Sequence, residues 1–166
     1  MARLEDMEAI RNLKAMYARF CDQGYDADRL AALFTADAVW ESNLFGPFEG
    51  RKAIWAYFRS LADGGISWAF HLMVAPIIEV EEGGAAATGT WYLLDLATFA
   101  GPEDPSRRDP VIATARYDDA FAKQHGEWRF TRIRAEFFQV SNLAEGWVRQ
   151  PFRPDVLPDE MKGSQR

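Results

Sequence analysis

The sequence predicts an α+β domain in which N-terminal helices cover one face of an antiparallel sheet. Three observations carry that prediction. Apolar residues recur at three- and four-residue spacing through the first third of the chain, the periodicity then switches to long β-like runs, and short turn signals join those runs. With 166 residues, 48% of them hydrophobic and 14% aromatic, one domain with a core large enough to line a cavity is expected. Residues 1–152 are read as that domain, and 153–166 as a polar C-terminal tail.

Leu4, Met7, Ile10, Leu13, Tyr17, Phe20 and Cys21 mark one face of a first helix that stops near Gly24. "DADRLAALF" opens a second, short helix with aspartates in its first turn, where they complement the helix dipole, and ends near "TADA". "VWES" reads as a short strand and "GPFEG" as a turn. In "RKAIWAYFRSLADGG", Ile54, Tyr57, Phe58 and Leu61 share one side of a third helix, and the glycine pair stops it. Four strands come next: "SWAFHLMVAPIIEVEE", "AAATGTWYLLDLATFA", "PVIATARYDDAFAKQ" and "EWRFTRIRAEFFQV". "HG" makes a tight hairpin between the last two, and the charged, Pro-rich Gly101–Asp109 segment is a loop. In the tail, Trp147 and Phe152 are expected to pack on the body before the chain turns polar.

A net charge of −6 with no Lys/Arg cluster sets nucleic acid aside, since phosphate neutralisation needs a basic face. The first residues hold no signal-like apolar run and no segment is apolar enough to cross a bilayer, so a soluble, cytoplasmic protein without a membrane partner is expected. One cysteine excludes an intrachain disulfide, and two histidines leave no zinc-ligand cluster. No metal or cofactor is implied. Cys21 lies on the apolar stripe and reads as core.

The order of elements resembles the SnoaL-like branch of the NTF2-like superfamily. The resemblance rests on "YARFCDQGYDADRLAALFTADAVWE", "FEGRKAIWAYF", "HLMVAPIIEV" and "GEWRFTRIR", and spans roughly residues 4–152. It implies a cone-shaped, cystatin-like fold whose strongly curved sheet wraps an apolar pocket. Members of the branch include bile acid 7α-dehydratase, scytalone dehydratase and hexachlorocyclohexane dehydrochlorinase. The resemblance places His71 at the position of the family's base, Asp22 at that of the aspartate that orients it, and Tyr17 at that of a tyrosine in the bile acid enzyme. A small hydrophobic substrate and a homo-oligomer, trimer or dimer, are also implied, with outward strand residues such as Arg132, Arg134 and Glu136 fitting a partly polar interface.

The chemistry of the trio is coherent. An imidazole titrates near neutral pH, a carboxylate on its far nitrogen fixes the tautomer and stabilises the cation, and a phenol hydrogen-bonds a substrate oxygen. Each residue also has a plain structural reading: a core histidine, a solvated helix-end aspartate, a packing tyrosine. Because Tyr17 and Asp22 are separated by about 500° of helical rotation, both face one pocket only if the helix frays or bends near Cys21.

Asp95 interrupts an apolar strand; it is either a second acid/base group or an outward carboxylate paired with arginine, the latter favoured by its setting. The family's last-strand arginine is matched poorly. Alternation sends Arg132 and Arg134 away from the face of Ile133, so Arg134 reaches the pocket only if a bulge inverts the strand. Trp40, Phe58, Met73, Trp91, Tyr92, Tyr117 and Ile133 are candidate pocket walls, while Trp68 and Phe70 point to the other face if His71 points in. The leading reading is a dehydratase-like lyase. An isomerase or polyketide cyclase shares its first step, and a non-catalytic binding or structural protein retains the same cone.

Overall fold

The computed structural model describes residues 2–158. Its elements are α1 (Ala2–Asp22), α2 (Ala27–Ala32), β1 (Phe34–Ser42), β2 (Phe48–Glu49), α3 (Arg51–Asp63), β3 (Ile66–Val80), β4 (Ala86–Ala100), β5 (Arg108–Gln124), β6 (Glu127–Asn142) and α4 (Gly146–Arg149). The α+β class and the helix-then-strand order are as the sequence implies. "TADA" belongs to β1 rather than to a helix stop, and "GPFEG" contributes β2, so "VWES" is only the end of a longer strand.

A six-stranded sheet runs β2-β1-β6-β5-β4-β3. β3 to β6 are antiparallel neighbours, whereas β1 joins β6 in parallel, which makes the sheet mixed. His125 and Gly126, both with φ in the left-handed region (52° and 85°), close the β5–β6 hairpin, where the sequence placed it.

One apolar cluster fills the space between helices and sheet. Ile10, Tyr17, Leu30, Phe34, Ile54, Phe58, Phe130 and Ile133 are each almost fully buried there, and each such large side chain contributes about 1.5–3 kcal/mol. α1 ends in a turn that directs the chain into α2: the amide of Tyr25 donates to Cys21 O and that of Asp26 to Phe20 O, with Gly24 at φ 84°. Asp26 then caps α2 through the amide of Arg29 at 3.1 Å.

The packed body continues past residue 152. Phe152 bridges to Val140, and Arg153, Val156 and Leu157 are buried. Trp147 is instead exposed on the short α4. The last part of the tail read as polar, 159–166, lies outside the described residues.

Candidate functional site

A cavity of about 90 Å³ opens between α1, α3 and the concave face of the sheet. Tyr17, Cys21, Trp40, Phe58 and Tyr117 form its buried depth, and half-buried Phe45, Leu61, Ile66, Phe99 and Phe137 form its rim. Val156, from the C-terminal segment, closes one side. His71 and Asp95 supply polar groups on this otherwise apolar wall.

β3 is an edge strand, so every second amide on it lacks a ladder partner. His71 occupies such a place. Its backbone N–H donates to Asp22 Oδ1 at 2.9 Å, and its Nδ1 lies 2.7 Å from the same oxygen. An ionised carboxylate requires the proton to be on Nδ1, which leaves the Nε2 lone pair free. Asp95 stands opposite His71 in the β3–β4 register. Because the His71 amide points away from β4, this is a non-hydrogen-bonded pair, the kind that brings side chains closest.

Asp95 Oδ1 is accordingly 3.8 Å from His71 Nδ1 and, among the described residues, has no hydrogen-bond partner. Burial holds the Asp95 carboxyl above the ordinary carboxylate range; His71 pulls it back in part, and Asp22 pushes it up further. The favoured sequence reading of Asp95, outward and paired with arginine, is therefore corrected: the side chain is 7% exposed and faces the cavity.

Tyr17 faces the same space. Its hydroxyl accepts a hydrogen bond from Trp40 Nε1 at 3.0 Å, which leaves the phenol proton to be shared between the adjacent Cys21 sulfur and a ligand in the cavity. Burial keeps this phenol well above its usual range, which maintains it as a donor, and burial does the same to the Cys21 thiol. α1 reaches Asp22 as a regular helix, and, as helical rotation requires of such a helix, only one of the two side chains faces the cavity. Tyr17 points inward, while Asp22 reaches sideways to β3 and does not line the cavity.

Trp40, Phe58 and Tyr117 line the cavity as expected of walls. Five expectations are corrected. Arg134 is exposed on the outer face beside Glu41 and Arg132. Tyr92 is 49% exposed, because its neighbour Trp91 takes the inward place on β4. Ile133 is fully buried opposite Trp40, and Met73 packs on the core one pleat beyond His71; neither lines the cavity. Trp91 is buried but likewise off the cavity.

Sequence reasoning missed Tyr25, whose ring meets the imidazole edge-on at 6.0 Å, and the rim residues. Tyr57 and the rim residue Leu61 were visible on the α3 stripe, but only as helix packing. Val156 carried no signal, since its segment reads as tail. Among the described residues, no group of three or more His, Cys, Asp or Glu side chains is placed to hold a metal ion, and no helix is long and apolar enough to cross a membrane.

Residues 2–134 match the SnoaL-like domain. The structure is similar to that of hexachlorocyclohexane dehydrochlorinase LinA-type3 from Novosphingobium barchaimii (TM-score 0.75, 18% identity, 86% of this chain and 93% of that one). It also resembles a scytalone dehydratase-like protein from Novosphingobium aromaticivorans (TM-score 0.75, 20% identity, 85% and 89%). A third neighbour is an NTF2-like protein with a cystatin-like fold from the same organism (TM-score 0.60, 25% identity, 88% and 87%).

Proposed function

The chain belongs to the SnoaL-like domain family, and on that footing we propose that it is a dehydratase-like lyase acting on a small apolar cyclic or aromatic substrate with side chains alone. The observation that carries the reading is the 2.7 Å contact between Asp22 and His71 in a cavity wall. Nε2 of His71 takes a proton from a carbon next to an electron-withdrawing group. The freed electron pair forms the C=C bond as the neighbouring C–O bond breaks. Asp95, in its protonated form, gives its proton to the departing hydroxyl, which leaves as water. Asp22 is a positioning residue that fixes the tautomer and stabilises the imidazolium, and Tyr17 donates to the substrate oxygen. Neighbours named for dehydration and dehydrochlorination support the same class of step on this scaffold.

The cavity is smaller than the roughly 150 Å³ that a benzene-sized guest fills. A ring-bearing substrate therefore enters by displacing rim side chains such as Phe45, Ile66 and Phe137. A thermal-shift screen with steroids, β-hydroxy ketones and aromatic polyketides identifies ligands, and any turnover found is then measured in His71→Ala. A loss of roughly 10²–10⁴-fold is expected. Turnover by His71→Ala at the native rate would end the reading.

A further inference from the structure

Behind the cavity wall lies a second charged cluster that the reaction above does not use. Lys14 shares the inward stripe of α1 with Ile10, Leu13 and Tyr17, and is 1% exposed. Its Nζ donates to Asp119 Oδ2 at 2.7 Å. Its other neighbours are ring faces: Nζ stands 3.8 Å from the centroid of Tyr117, 5.0 Å from Tyr17, 5.3 Å from Trp91 and 5.7 Å from Phe130. The second oxygen of Asp119 has no partner among the described residues. Aromatic faces, rather than further hydrogen bonds, hold the cation.

Packing gives no reason for a lysine here. Desolvating both ions is costly, and well-packed apolar residues in place of a buried ion pair are often neutral or stabilising. The location supplies the reason. Tyr117 and Tyr17, the two rings nearest the ammonium, are also cavity walls, while Asp119 does not line the cavity. The positive end of the pair therefore lies against the wall and the negative end behind it. Burial pushes the Asp119 carboxyl up to about 6 and the Lys14 ammonium down, while their 2.7 Å contact favours the charged form of each. The Tyr17 hydroxyl, which accepts from Trp40 and so has its proton left for Cys21 or a ligand, is the group through which that polarity meets a ligand.

We propose that Lys14, backed by Asp119, is a positioning residue that biases the cavity, through the Tyr17 and Tyr117 rings, toward a ligand oxygen that carries or gains negative charge. The implied substrate class is an enolisable carbonyl compound rather than a hydrocarbon or haloalkane. The carbonyl assignment rests on the lyase reading; the polarity of the cavity does not.

The test uses 4-nitrophenol, whose phenolate absorbs distinctly, and its neutral methyl ether, 4-nitroanisole. Affinities of both are measured for the native chain, for Lys14→Met combined with Asp119→Leu, and for Lys14→Gln, with thermal unfolding as the check on folding. The native chain is expected to prefer the phenolate to the ether. Both variants are expected to lose that preference by roughly tenfold while binding the ether as before. Lys14→Gln decides the matter if the double variant does not fold. An unchanged ratio in a folded variant, or no phenolate preference in the native chain, overturns the proposal. Failure of the lyase reading shows separately, as unaltered turnover in His71→Ala, and leaves this ratio untouched.

Discussion

Arg153→Ala is expected to release the C-terminal segment without unfolding the domain. The guanidinium is 2% exposed and donates to Asp109 Oδ2 at 3.1 Å, to Asp155 Oδ1 and Oδ2 at 3.0 and 2.9 Å, and to Ala100 O at 3.1 Å. It also lies over the Phe99 ring at 5.3 Å. Removing one partner of a buried pair costs about 3–5 kcal/mol. Two features place this case at the low end. Asp109 keeps both bonds from Arg107, at 2.9 and 3.1 Å, and Asp155 is about a third exposed (32%) and rehydrates.

A loss of about 3 kcal/mol is roughly a hundredfold in an opening equilibrium. The backbone bonds that report it are Arg153 N–H to Val140 O at 2.8 Å and Val156 N–H to Arg153 O at 3.2 Å. Hydrogen exchange followed by mass spectrometry should therefore show amide protection across 153–157 falling about a hundredfold, with the centres of β4 and β5 unchanged. Arg153→Lys should behave nearly as badly, since one ammonium cannot fork to two carboxylates and a carbonyl. Unchanged protection in the segment, or an equal loss throughout the chain, would refute the reasoning.

Asp22→Asn keeps an oxygen for both His71 contacts but removes the charge. At an effective dielectric near 20 the full interaction at 4 Å is about 4 kcal/mol; with a partly formed imidazolium and a quarter-exposed carboxylate (25%), roughly half of it remains, so kcat should fall about thirtyfold with KM nearly constant, and an unaltered kcat on an identified substrate would contradict the role. Gly89→Ala would place a Cβ 2.2 Å from Trp91 Cζ3 and 3.2 Å from Phe121 Cε2; urea unfolding should show a loss of about 1–3 kcal/mol. Trp68, Phe70, Leu72, Val74, Ile77, Tyr92 and Leu96, each 36–65% exposed, leave an apolar outer face on β3 and β4. A second copy of the chain is expected to cover that face, more than the arginine-bearing face of β6. Sedimentation should show a dimer or trimer that Trp68→Glu with Ile77→Lys dissociates, and a native monomer at micromolar concentration would rule this out.

Periodicity made the helices and the four long strands legible, and local turn chemistry fixed the β5–β6 hairpin. Parity and partnership escaped. On β6 the register skips Thr131 and Phe138, and each skip inverts the side of every residue beyond it. Without the first, Arg132 and Arg134 would share the face of buried Trp128 and Phe130; with it, Ile133 and Ala135 point in and both arginines point out. A bulge is present, and it acts opposite to the one that would have brought Arg134 inward. Lys14 was passed over because a lysine on an apolar stripe reads as an interruption until Asp119, 105 residues later, is seen beside it. Val156 was invisible for the related reason that a segment tethered by one buried arginine looks polar in sequence.

Tyr17 and Asp22 serve one site without a frayed helix because β3 is the sheet's edge. Fraying is needed only if both side chains must face the ligand. Only Tyr17 does. Asp22 answers a need of the strand: an edge amide at His71 requires an acceptor, and the last residue of α1 supplies one oxygen to that amide and to Nδ1 of the same residue. Backbone satisfaction and imidazole orientation thus become a single contact, so the tautomer is held as firmly as the strand itself. The same geometry places Asp95 opposite, because an amide turned outward toward Asp22 is an amide turned away from β4. Strand order therefore sets the site: with β3 paired on both sides, neither the Asp22 contact nor the close approach of Asp95 would form.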